Sequence, residues 1–388
     1  MFTVWILTFF ICSISASDYY VATYGDDDNP GTFESPFQNI QRASEVMISG
    51  DICYIRQGVY HELVSVIDQD GINGSEIVFT NYNNERVVLD GTVLIDSTWQ
   101  IYSGNIWKTT LGFDIWQLFV DRNEMVMARW PNANFSDGSI WDKDNHWAHG
   151  TIDQNPDAYE NGTLIDEPYG DVSLAGSGLN IVDAIAILNV GSYKTWTRNV
   201  LSHSGNTFTY DPVPEWKTKH HDYYLEGKLE FLDAESEWFF DPLTKELYFW
   251  VPNGGDPNNL QIRGKVQSYA FEVINSDYVT IKNIEFFGTT FRFHNSDYGL
   301  VEGCNLFYTS CYKRMLGVID TIPDISVITS SSHCKVYQSA FRYTDGSALE
   351  MYSGNNTIED CYFYHIDHTA TDLSGLMTTI QMGGSENI

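Results

Sequence analysis

The chain has 388 residues, 43% hydrophobic and 15% aromatic, which supplies a large core and excludes wholesale disorder. Asp and Glu number 52 against 21 Lys and Arg, a formal charge of −31. That excess repels nucleic acid and anionic membrane surfaces, and it disfavours a polyanionic ligand unless a cation or a local basic patch intervenes.

Residues 1–17, MFTVWILTFFICSISAS, form an apolar run ending in small residues, the pattern of a secretory signal peptide cleaved after Ala16 or Ser17. The run is short for a membrane span and no second one follows. The mature protein is therefore expected to be soluble, monomeric and exported, either extracellular or periplasmic. Sequons at Asn73, Asn134, Asn161 and Asn355 agree with export. Cys12 leaves with the signal. Cys53, Cys304, Cys311, Cys334 and Cys361 remain, without metal or disulfide spacing and odd in number, so at least one is unpaired; those at the small position of the strand repeat that follows, Cys304 and Cys361, read as stacked interior residues.

Residues 18–100 begin with an alternating strand and a polar Gly/Pro turn. SPFQNIQRASEVM then predicts a short amphipathic helix with Ser35 at the N-cap and Pro36 at N1, ended by Gly50. ICYIRQGVYHE, EIVFTNY and RVVLDGT read as short strands. Residues 101–262 are rich in aromatics and predict a β-rich insertion. Its clearest hairpin is EWFFDPLTKELYFW. From 263 to 388 a strand pattern recurs. VTIKNIEF, GLVEGCNL, CKVYQSAF and NTIEDCYF align, with steps of 20, 35 and 22 residues between copies, the long step carrying an excursion over 309–331. Strands at this period, with no helical pattern between, predict a β-solenoid whose equivalent positions stack about 4.8 Å apart. The helix near the start is then the expected plug of its open end.

GDDDNPGTFESPFQNIQRASEVMISGDICYIRQGVYHE resembles the opening of right-handed parallel β-helix proteins of the pectin-lyase-like fold. LFVDRNEMVMARWPN and YYLEGKLEFLDAESEWFFDPLTKELYFWVPNG resemble the inserted region of large exported β-helix proteins grouped with glycan hydrolases, among them α-fucosidases and xylanases. The resemblance implies an all-β, right-handed parallel β-helix with an N-terminal helical cap and a β-rich insertion. It also implies a polysaccharide or oligosaccharide substrate. AESEW stands where the family pattern has Pro-Gly-Glu-Trp. The chain ends at TTIQMGGSENI, midway through a coil, so further coils, and catalytic residues with them, are expected beyond Ile388.

Register supplies the candidate site. Four positions after the large residue of each repeat stand Thr290, Ser310, Asp345 and Asp367; two positions after it stand Gly288, Tyr308, Tyr343 and His365. Asp345 and Asp367 are thus expected on consecutive rungs, about 5 Å apart, as a catalytic pair in which each raises the other's pKa. His365 is a candidate proton carrier; His368 and Tyr343 are candidate sugar-binding groups. Each of these has a plainer reading as a turn residue. Lys313 and Arg314 form a rare basic pair, suited to a uronate carboxylate and its C5 proton, or else a solvated loop pair. Trp141 and Trp147 are candidate sugar platforms, while Trp130 reads as core. No cofactor is required, although stacked Asp oxygens could take Ca2+.

Three functions follow. The first is a glycoside hydrolase on plant or algal polysaccharide. The second is a polysaccharide lyase using Lys313 or Arg314, and the third a non-catalytic glycan-binding or adhesive β-helix.

Overall fold

The computed structural model describes residues 16–151, 160–190, 195–213, 221–319 and 324–369, and the backbone of 380–383. The expected signal segment lies outside these residues except for its last two. The chain is a right-handed parallel β-helix whose coils visit three sheets in turn.

The first sheet runs from Asp18–Val21 through Ile52–Ile55, Ile77–Asn81, Val279–Lys282, Leu300–Glu302 and Lys335–Tyr337 to Thr357–Glu359. The second stacks Gly58–Tyr60, Val87–Asp90, Glu285–Phe287, Asn305–Phe307, Ala340–Arg342 and Tyr362–Tyr364. The third stacks Val64–Ile67, Tyr269–Ile274, Thr290–His294, Ser326–Thr329, Leu349–Tyr352 and Ile380–Gly383.

The four aligned repeats hold their register. Ile281, Val301, Val336 and Ile358 pair in sequence, as do Phe286, Leu306, Phe341 and Phe363. Cys304 and Cys334 are buried among these side chains with Cys361 partly buried against them, Cys311 lies in the excursion instead, and all five described cysteines are free thiols.

In the coils from Val279 onward the corner between the third and first sheets takes up to two residues of left-handed backbone, such as Asn295 and Tyr298, and each of the other two corners is turned by one. Between the first and second sheets these are Asn283, Gly303, Gln338 and Asp360; between the second and third they are Gly288, Tyr308, Tyr343 and His365. Only glycine adopts this conformation without strain, so three large rings in it at one corner are locally costly.

The helix is shorter than the sequence suggests. It spans Ile40–Ser44 with Asn39, not Ser35, at its N-cap. The reason is Phe37, which bridges to Val21 in extended backbone: its N–H donates to Tyr20 O (2.9 Å), and its carbonyl accepts from Ala22 N–H (2.9 Å). The first helical N–H groups, of Ile40 and Gln41, then donate to the two carboxylate oxygens of Glu62, each at 2.9 Å. Asp27 of the Gly/Pro turn accepts from Gln38 and Asn39 and so has a structural task.

After Asp90 the chain leaves the solenoid and re-enters at Tyr269. Between these points it forms mostly antiparallel sheets of four, five and seven strands. Glu237–Asp241 and Glu246–Trp250 pair as the expected hairpin. A second excursion separates Asn305–Phe307 from Ser326–Thr329. Both depart from the corner between the second and third sheets.

Candidate active site

That corner and the insertion enclose a cleft of about 840 Å3. The solenoid contributes Phe287, Phe307 and the corner rings Tyr308, Tyr343 and His365. Left-handed backbone at these last three turns the coil, and their rings pack on one another. Tyr308 stacks on Tyr343 (5.3 Å, 19°), and His365 lies edge-on to Tyr343 (5.7 Å, 71°). The insertion supplies the opposite wall, where Trp141 lies 4.6 Å from His365.

The expected pairing of Asp345 with Asp367 is displaced by one residue. Phe341 and Phe363 do pair, their rings 5.1 Å apart at 6°. Past Tyr343 the ladder slips: Thr344 N–H donates to His365 O (3.1 Å), but His368 N–H donates to Thr344 O (3.2 Å) and Thr369 N–H to Asp345 O (3.4 Å). Asp367 takes left-handed backbone (φ 62°), and its N–H goes to Thr344 Oγ1 (3.1 Å). One extra residue has entered the upper strand, as in a β-bulge. His368 and Thr369 therefore meet the Asp345 carboxylate. His368 Nε2 is 3.2 Å from Oδ1, and the Thr369 hydroxyl donates to the same oxygen.

Asp345 is 2% exposed. Its Oδ2 accepts from Tyr312 N–H (3.0 Å) and lies 3.4 Å from Arg314 Nη1. Burial pushes this carboxyl up, but Arg314, His368 and the hydrogen bonds outweigh it and hold it at about 2. It is thus a fixed carboxylate, not the protonated member of an acid pair. Among the described residues no three His, Cys, Asp or Glu gather as metal ligands.

The basic pair divides. Arg314 is buried, forking onto Glu226 through Nε–Oε2 (2.8 Å) and Nη2–Oε1 (3.2 Å). Lys313 binds Asp324 (2.7 Å) and covers the Trp116 ring (4.5 Å). Neither lines the cleft. His368 is nearly buried against Phe135 and Trp141. Burial pulls both His365 and His368 down, so each is neutral at neutral pH. Among the described tryptophans only Trp141 faces the cleft; Trp147 packs on Tyr224 and Trp130 on Tyr223, both in the insertion's core.

Sequence reasoning missed Glu124. It follows a two-residue turn in which Asp121 and Arg122 both have positive φ, joining Leu118–Val120 to Asn123–Glu124. Burial pushes its carboxyl up to about 8, the Asp345 charge adding to the rise while a Gln117 amide (2.8 Å) and Lys265 oppose it. The available signal was its place in LFVDRNEMVMARWPN, which the resemblance singled out for architecture alone. Asn134, a sequon residue, lines the same cleft and bonds Glu235 O (3.3 Å), so a glycan attached there would occupy the cleft.

Beneath the cleft lies a chamber of about 30 Å3, faced by Asp345, Arg314, Glu226 and His368. Glu124, Met125 and Phe135 border both spaces.

A family described as the Pel9A-like right-handed β-helix region matches residues 19–194. The uncharacterized protein YwoF of Bacillus subtilis (strain 168) is 40% identical over 86 residues, 22% of this chain and 18% of its own. The pectate lyase PEL9 of Emericella nidulans is 32% identical over 93 residues, 24% of this chain and 23% of its own. The matches therefore span about a fifth of these curated relatives. A solved structure described as a glycoside hydrolase superposes with a TM-score of 0.63 at 15% identity, over 91% of this chain and 74% of that one. At that identity the likeness concerns the fold alone.

Proposed function

We propose that the protein is a carbohydrate-active enzyme that hydrolyses a glycosidic bond in this cleft. In this reading Glu124 gives its proton to the leaving oxygen, and Asp345 is the carboxylate that takes up the proton of the attacking water. One observation carries the proposal. Two carboxyl groups bordering the same chamber are pushed in opposite directions, Glu124 up to about 8 and Asp345 down to about 2. Splitting a pair of acids by environment is how glycosidases keep one protonated and one ionised at neutral pH. Tyr343, with one face covered by Tyr308, and Trp141 line the cleft and offer the apolar surfaces with polar edges that sugar rings require.

The test is incubation of the protein with plant and algal polysaccharides. New reducing ends without ultraviolet-absorbing unsaturated products are expected. Glu124→Gln should lower kcat by about 10²- to 10⁴-fold, the usual worth of a general acid. Full turnover in that variant would reject Glu124 as the acid.

A lyase is the second reading, favoured by the likeness to the pectate lyase PEL9. Its candidate base does not help it, because Lys313 and Arg314 are each committed to a carboxylate outside the cleft. Unsaturated products in the same assay would establish it. Binding to glycan arrays with neither product would indicate the adhesive β-helix. We also propose export, on the opening apolar run and its small-residue end. N-terminal sequencing of secreted material should begin at Ser17 or Asp18. Among the described residues no helix is long and apolar enough to cross a membrane.

A further inference from the structure

The chamber under the cleft is lined by more than its ion pairs. Two polar atoms on its lining residues, Gln117 Oε1 and Tyr224 Oη, have no hydrogen-bond partner among the described residues, and Arg314 Nη1 has only its 3.4 Å ion-pair contact with Asp345, without a hydrogen bond. All three side chains are nine-tenths or more buried. Leaving such a group unsatisfied costs about 1–3 kcal/mol. Two unsatisfied atoms and a third under-satisfied one around one space point to a ligand.

The donor set identifies that ligand by its chemistry. Tyr224 Oη and Arg314 Nη1 donate, whereas Gln117 Oε1 accepts. Gln117 is fixed in this orientation because its Nε2 already donates to Glu124 Oε1 (2.8 Å). A metal cation is excluded by the guanidinium, and an anion by the Gln117 carbonyl and the Asp345 carboxylate. A molecule that both donates and accepts is required, and a volume of about 30 Å3 admits one or two waters.

We propose that this chamber is a water site behind the cleft and that its water is the one consumed in hydrolysis. The inference rests on the hydrolase reading for the second half of that statement, and on the lining alone for the first. A glycan filling the cleft displaces its bulk solvent, so the attacking water is drawn from the protein side. Glu124 borders both spaces, so the chamber opens to the cleft past the acid itself. The step balances. The water oxygen bonds to the anomeric carbon as the glycosidic C–O bond breaks. The leaving oxygen takes the Glu124 proton, and the proton released by the water passes to Asp345.

Two measurements separate the halves. A crystal structure of the protein at a resolution that orders waters should place one or two of them within hydrogen-bond distance of Tyr224 Oη, Arg314 Nη1 and Gln117 Oε1. A dry chamber overturns the proposal whatever the enzyme's reaction. Val126 lines the chamber and belongs to none of the charged groups. Val126→Leu should displace the water and lower kcat at least tenfold. Unaltered kcat in a folded variant with its water displaced overturns the supply role. If Val126→Leu melts, Tyr224→Phe removes one holder at constant shape and should lower kcat in the same way, with unchanged kcat again counting against it. Absence of hydrolysis in the wild-type chain, with waters present in the chamber, defeats the hydrolase reading and the supply role while leaving the water site standing.

Discussion

Glu124 governs two different pH dependences. As an acid it must be protonated, so turnover should fall as pH rises through about 8. Its effect on stability runs the same way. Burial raises its carboxyl in the fold, and burial does the same to Glu237, also to about 8. Both are therefore more easily ionised in the unfolded chain. Their stabilising protonation is complete below the usual carboxylate range and is lost as pH rises towards 8. Tm measured from pH 5 to 8 should decline, and Glu124→Gln with Glu237→Gln should flatten that slope. Asp345 behaves oppositely: its contribution holds above the usual Asp range and disappears as pH falls towards 2. Arg314→Met leaves Asp345 and Glu226 buried without their cation and should cost about 3–5 kcal/mol in a denaturant titration. At this scale the sequence was half informative. It brought Asp345, Tyr343 and His365 to one corner, because period-2 register carries that far. It could not anticipate that Asp367 would adopt left-handed backbone and hand its place to His368. Nor could it foresee Glu226 and Glu124, which arrive from an insertion with no repeat to count along.

The stack of Phe286, Leu306, Phe341 and Phe363 lies inside the second sheet, with Phe341 fully buried. Phe341→Ala should cost about 3–5 kcal/mol, read as a shifted urea midpoint, because rungs above and below hold the backbone too rigidly for the cavity to collapse. These rungs were legible in advance, since an inward side chain at a fixed place in every coil is written directly into the repeat. The short helix was misjudged at its start because Ser35-Pro36 is a good local signal for an N-terminus. The bridge of Phe37 to Val21, a tertiary contact, overrode it. The antiparallel sheets of the insertion were seen only as aromatic hairpins, their partners being distant in sequence. Glu226, for instance, lies on a strand paired with both Arg129 and Ile185.

At the scale of the whole molecule the charge of −31 is spread over a long surface, and self-repulsion should be relieved by screening. Raising NaCl from low ionic strength to about 0.15 M, where the Debye length falls to about 8 Å, should therefore raise Tm. An unchanged or lower Tm would show that ion pairs such as Arg56–Glu85 and Lys335–Glu359 outweigh the repulsion. The right-handed solenoid was legible at this scale from period and resemblance together. The chamber was not, because it is bounded by residues from both bodies. Among the described residues both long excursions leave from the same corner, between the second and third sheets, while the other two corners are turned within a few residues. The scaffold therefore has one open margin along its length and two sealed ones. Lengthening or replacing a loop on the open margin leaves every rung's partner in place, so new walls can be added to the cleft without renegotiating the core. Variation in what the cleft accepts should accordingly be concentrated at residues 91–268 and 308–325, and the same loops transplanted to the other two corners should unzip the coil.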